Sequence, residues 1–358
     1  MRGYPALLEP SEHPQRRMID AGRYTSGRIA LANLSASIES LELLRVAGVS
    51  FDNRVVLSKL LFLRGDLLGL IADHDRAERV ANEAVSVSPD AAGELYIRAR
   101  LAERFHRFQE ADALLDRALA AGYPNPQIEV AKAALLQATG RYRDALVLRE
   151  RLAQDDPAVH TLGALASLLA EMDRWAAAEA CYANALDADD GASPLPCAQL
   201  LFEWGVGAMR RGDLERAEQI FVELDAILPQ HAPGRGHRAE VALARGQLDR
   251  ALALVKPLLD VSDDPEYRAT YAEILAARGA REAALIEAAR AAAVYESLLA
   301  RRPEAYADHA AAFFMGIGKR PQRAVDLASR NRQLRDTPRS RGLLARALRC
   351  AQAQRTAA

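Results

Sequence analysis

An all-α solenoid built from helical hairpins is the fold class this sequence predicts, on three observations. Helix-favouring residues dominate its 358 positions, whereas aromatic residues are only 6% and alternating Val/Ile/Thr strands are missing. An alanine recurs in equivalent contexts at Ala77, Ala111, Ala145, Ala178, Ala217, Ala251, Ala284 and Ala324, with separations of 34, 34, 33, 39, 34, 33 and 40. Glycine and proline punctuate each period at fixed offsets. The apolar fraction is 50% at a mean hydropathy of -0.14, because much of it is alanine suited to close helix contacts.

Taken in chain order, residues 1–25 are rich in Pro, Arg and Glu without periodicity, and are expected to be mobile. Over 26–57, the stretch from Ile29 places Leu34, Ile38 and Leu41 on one face, which predicts an N-terminal capping helix. The array proper spans 58–338 in about eight units. Twelve positions before each key alanine stands a small residue: Gly65, Ala99, Ala133, Ala166, Gly205, Ala239, Ala272 and Ala312. Seven positions after it stands Ala84, Ala118, Leu152, Ala185, Leu224, Leu258, Ala291 or Asn331. Each unit is therefore read as two antiparallel helices crossing at small residues. Gly140, Gly212, Gly246 and Gly279 mark the turns between them, where glycine tolerates positive φ. Pro89, Pro157 and Pro229, with Pro124 one place late, stop the second helix.

Two longer spacings have separate readings. The segment from Asp190 to Gln199 is expected to be an extended loop and a hinge between the fourth and fifth units. The spacing from Ala284 to Ala324 predicts a second helix prolonged by more than a turn. Over 339–358 the pattern from Arg341 predicts a C-terminal capping helix, with Leu343, Leu344, Leu348 and Cys350 turned inward. Such caps cover the apolar face a terminal repeat would otherwise expose.

In these offsets the chain resembles the tetratricopeptide repeat family, over about residues 58 to 338. It departs from the family pattern where an early tryptophan is usual, since Leu61 and Leu201 stand there and Trp204 lies three positions later. The resemblance implies a right-handed superhelix whose first helices line a concave surface. On that surface it places Phe62, Tyr96, Arg100, Arg104, Val130, Gln137, Phe202, Arg210 and Glu240, with His309 and Phe313 facing the groove together.

Aromatic and arginine side chains in one groove suit a protein or peptide segment with apolar anchors and acidic groups, because guanidinium binds carboxylates bidentately. The same arginines would equally serve as a solvated face. The lysine and asparagine set that grips acidic chaperone tails is missing at these positions. The function expected is a protein-binding scaffold or adaptor; the alternative is a regulatory repeat protein that responds to a ligand or peptide.

Reaction chemistry has no anchor in the sequence. No phosphate loop, HExxH helix, paired CxxC or nucleophile elbow occurs, so no enzyme activity, cofactor or metal is expected. His231 and His237 read as solvent-exposed loop residues, and adjacent Asp308 and His309 point apart on a helix. Cys181, Cys197 and Cys350 read as reduced thiols. With no signal-peptide core and no long apolar run, a cytoplasmic protein without membrane insertion is expected. Net charge is -1 overall, yet from Lys319 to the end eleven residues are basic and two acidic, a local +9. Without interleaved aromatics, this segment reads as a solvated cap and nucleic acid is not the expected partner.

Overall fold

A computed structural model describes residues 19–46, 51–85 and 91–357. Among them every regular element is helical, and the helices run in hairpins between two caps. The N-terminal cap is α1 (Gly27–Val46). Pairs follow as α2 (Phe51–Leu68) with α3 (Ile71–Val85), α4 (Ala92–Arg104) with α5 (Phe108–Ala120), and α6 (Asn125–Ala138) with α7 (Tyr142–Asp155). Next come α8 (Val159–Glu171) with α9 (Trp175–Asp187), and α10 (Pro194–Arg211) with α11 (Leu214–Ile227). In the sixth unit α12 (Ala232–Ala244) pairs with a helix interrupted at Pro257, giving α13 (Leu248–Val255) and α14 (Leu258–Val261). The last pairs are α15 (Pro265–Ala277) with α16 (Arg281–Arg301) and α17 (Pro303–Met315) with α18 (Pro321–Leu334), before the cap α19 (Pro338–Ala357). Residues 1–18 of the expected mobile segment, Pro89 and the side chain of Ala84 lie outside the described residues.

The alanines that define the period are the buried spine of the array. All eight key positions are at most 2% exposed, and Asn331 is buried with its amide oxygen accepting from Arg335 Nε at 3.0 Å. Close crossing is the reason for small residues here: a Cβ added at Gly205 of α10 would stand 2.5 Å from the Phe221 ring of α11. Beside it Trp204 stacks on Tyr182 at 4.9 Å and donates to Glu179 Oε1 at 2.7 Å, which joins α9 to α10. Gly140, Gly212, Gly246 and Gly279 all turn with positive φ, while the corresponding turns elsewhere put His106, Asp173 and Lys319 there at 50–59°.

Several expectations are corrected. The offset of twelve fails in the last unit, where Ala312 is exposed and Ala310 and Ala311 are buried. The cause is a longer turn over Gly316–Arg320, against Phe105–Arg107 in the second unit. The inserted residues near Asp190 are not an extended loop or hinge: α10 starts at Pro194 and absorbs them as added turns. That corner is also strapped, because Tyr24 donates its hydroxyl to Asp189 at 2.5 Å and Arg23 donates to the Asp189 carbonyl at 2.9 Å. The second insertion does lengthen α16 to 21 residues. In α19 Leu343, Ala347 and Ala351 form the inward stripe at four-residue spacing, so Leu348 falls outside it and is 50% exposed.

The hairpins wind so tightly that successive turns of the superhelix touch. The cap α1 reaches the end of α11, with no room for a Cβ on Gly27 against the Ile227 carbonyl. Asp263, before α15, accepts from the backbone N–H groups of Ile71 and Ala72 at 2.6 and 2.9 Å, capping α3 from a distant unit. Arg301 and Arg302 pair with Asp75, and Arg302 also with Glu78 at 2.5 Å while its guanidinium lies 3.9 Å from the Phe105 ring centroid. Farther along, a Cβ on Gly140 would meet the Asp336 carbonyl at 2.6 Å. These contacts form a continuous seam.

Candidate functional site: the charged inner wall

Winding brings the first helices of the hairpins to the inside, and their inner stripe is charged. Arg104 donates to Asp66 Oδ1 at 3.3 Å, and His74 Nε2 meets the same oxygen at 2.9 Å. Arg100 pairs with Glu103 at 2.5 Å, and His237 Nδ1 with Glu240 Oε2 at 2.9 Å. His309 Nδ1 lies 2.7 Å from Glu266 Oε1, with Asp308 Oδ1 at 3.8 Å from its Nε2. Asp308, 4% exposed, is held by Arg335.

Electrostatics follow from this crowding. The carboxylates of Glu266 and Asp308 raise the His309 pKa to about 9, against the cost of burial. Burial would raise Glu266, but the His309 charge outweighs it and holds that carboxyl low; burial and the neighbouring Glu266 charge push Asp264 up. Despite burial, His309 and Arg335 hold Asp308 far below the carboxylate range. His231 is pushed down to about 4, first by burial and then by the His237 charge.

The sequence-derived groove residues divide five ways. Arg104, Arg100, Glu240 and His309 stand on the inner wall but are already matched by partners of this chain. Phe62 packs on His74 at 5.5 Å, Tyr96 stacks on Tyr123 at 4.3 Å, and Phe202 lies between His231 at 5.1 Å and His237 at 5.7 Å. Val130 and Gln137 are half-buried on α6, and the Gln137 side-chain oxygen is buried without a partner. Phe313 does not face the groove beside His309: it is 4% exposed and packs on Tyr295 and Phe314. Arg210 makes no hydrogen bond or ion pair among the described residues. Burial and then the Arg339 charge pull its pKa down to about 10.

His231 and His237 are not exposed loop residues. His231 is 4% exposed and caps α12, accepting at Nδ1 from Gly234 N at 3.0 Å; His237 is on the inner wall. The signal for these residues is in the repeat register. Counting back from each key alanine, Glu203, His237 and Thr270 fall at fourteen, Asp66, Arg100, Glu240 and Glu273 at eleven, and Arg104, Glu171 and Arg210 at seven. That spacing is one helical face. Among the described residues no group of three or more His, Cys, Asp or Glu is arranged to hold a metal, no helix is long and apolar enough to cross a membrane, and no disulfide joins the three cysteines.

Stacked helical hairpins around a common inner wall define a repeat module of the kind that mediates protein–protein interaction. The array has the tetratricopeptide repeat fold, and the family model for that repeat matches residues 208–274, from the end of α10 into α15. Among solved structures, a chain of the APC/C hetero-tetramer Cut9–Hcn1 superposes with a TM-score of 0.50 at 15% identity, covering 88% of this chain and 59% of that one. A tetratricopeptide repeat protein from Parabacteroides merdae aligns at 20% identity over 68% of this chain and 93% of its own, with a TM-score of 0.42. Yeast Tom70 aligns at 14% identity over 85% of this chain and 64% of its own, with a TM-score of 0.46. No curated protein matches the sequence.

Proposed function

We propose that the chain is a scaffold or adaptor that holds an extended segment of a partner protein along the inner wall of its superhelix. The observation that carries this reading is the solvent access of that wall. Asp66, Arg104, Glu240, Glu266 and His309 keep 32–39% of their side-chain surface exposed although they converge at the centre of the molecule. Charges that remain wet can exchange a neighbour for a partner at low desolvation cost, whereas a core of the same residues could not. Phe202 and Tyr96 supply flat apolar surface beside them.

A second reading, a regulator that changes shape on taking up a ligand, is favoured by the seam. With successive turns in contact, the inner wall is reached along the superhelix axis or after the turns part.

Site-specific photo-crosslinking separates inside from outside. A crosslinker at Glu240 is expected to capture a partner from cell extract that one at Val147, which is 71% exposed on the outer surface, does not. Capture of the same partner only from Val147 would overturn the inner-wall assignment.

A further inference from the structure

We infer that the cleft between α7, α8, α9, α10 and the first turn of α19 binds a small zwitterion with a flat apolar body, the class to which free aromatic amino acids belong. The cleft encloses about 430 Å³, the scale of a small-molecule site. Aromatic rings of Tyr142, Trp175 and Tyr182 line it, and Gly207 lets the indole of Trp175 lie close, since a Cβ there would come within 3.0 Å of that ring. Tyr182 is fully buried, and its hydroxyl at the cleft, with Ser167 beside it, makes no hydrogen bond within the distance and angle limits of one.

Charge in the cleft is of both signs and incompletely matched. Arg210 and Arg339 are both solvent-exposed and stand next to each other. Arg210 makes no hydrogen bond or ion pair among the described residues although Glu171 lies near it, and the nearest carboxylate to Arg339, Asp308 at 4.0 Å, is already held by Arg335. Two guanidiniums facing each other across an aromatic cleft are relieved by a carboxylate between them. Glu171 and Glu203 approach each other in the same cleft, where Gln199 donates to Glu203 at 2.9 Å and the buried Arg149 guanidinium offsets part of their charge. A simple anion would meet those two carboxylates and a simple cation the two arginines. A ligand with an ammonium at one end and a carboxylate at the other meets both kinds of charge and places its ring among the aromatics.

The proposal is independent of a partner on the inner wall, and its failure would leave the crosslinking result untouched. Calorimetric titration of the full chain with L-phenylalanine is expected to give saturable binding. Phenylalaninamide and N-acetylphenylalanine, each missing one charge, should bind at least about tenfold more weakly, as should L-phenylalanine to Arg210→Gln. Arg210→Gln removes no ion pair, so circular dichroism should show it folded. The dipeptide Ala-Phe, also a zwitterion, distinguishes a free amino acid from a short peptide by which of the two binds more tightly. No saturable binding of either at millimolar concentration, or equal binding by the amide, or by Arg210→Gln, overturns the proposal.

Discussion

The interior of a hairpin and the seam between turns hold this molecule together by different physics. Inside a hairpin the contacts are apolar and close in sequence, with an alanine spine that leaves no volume to spare. At the seam the contacts join residues roughly two hundred positions apart through Asp263, Arg301, Arg302, Asp75 and Glu78. Apolar close packing is insensitive to salt and intolerant of volume, while ionic and capping contacts tolerate volume and respond to salt. The first makes each unit; the second decides how units in different turns meet.

Added volume tests this contrast most severely. Ala217→Leu forces a larger side chain between α10 and α11 and should destabilise the chain by about 3 kcal/mol, measured by urea unfolding. Equal stability of that variant would mean the spine is not close-packed.

At the seam the expected effects are smaller and differ in kind. Arg302→Ala loses a part-buried pair with Asp75 and Glu78 and the contact with Phe105, at a cost of about 2 kcal/mol. Unlike Ala217→Leu, its effect should shrink as salt rises, and small-angle scattering should show a longer particle. Asp263→Ala uncaps α3 and should cost about 1 kcal/mol, with faster amide exchange confined to the start of α3. Fast exchange spread over the whole array would assign Asp263 a global role instead.

Two further changes probe single units. Lys319→Gly removes a left-handed non-glycine residue from the turn before α18 and should stabilise by about 1 kcal/mol in thermal unfolding. The inner wall should add a modest pH dependence. The folded pKa of His309 lies near 9, above the ordinary 6.5, so its stabilising contribution is complete below about pH 6.5 and is lost as pH rises through 9. His309→Gln should flatten the melting temperature between those limits; an unchanged slope would place the titration elsewhere.

Much of the wall is legible in the repeat register, but its use is not. Arg100, Arg104 and Glu240 sit on the face that the offsets define, yet each has a neighbour of opposite charge: Arg100 and Glu240 pair within their own helices with Glu103 and His237, while Arg104 pairs across units with Asp66, a contact that has no period to reveal it. Phe313 leaves the groove for a local reason, since the longer turn at Gly316–Arg320 breaks the register of the last unit. His231 and His237 resemble loop residues in the sequence because Pro233, Gly234 and Gly236 look like a turn. Proline in fact opens α12, where its missing N–H costs nothing.

The repeating hairpin can be read from the chain alone. Period, alanine spine, glycine turns and caps all arise from contacts within one unit or between neighbours, and such contacts recur at a regular spacing. Tertiary structure was needed to learn that the superhelix closes on itself, that Asp263 caps a helix of another turn, and that Arg210 is left without a partner. Those outcomes depend on the angle between units summed over many of them, and a small angle repeated along the array leaves no local mark in the chain.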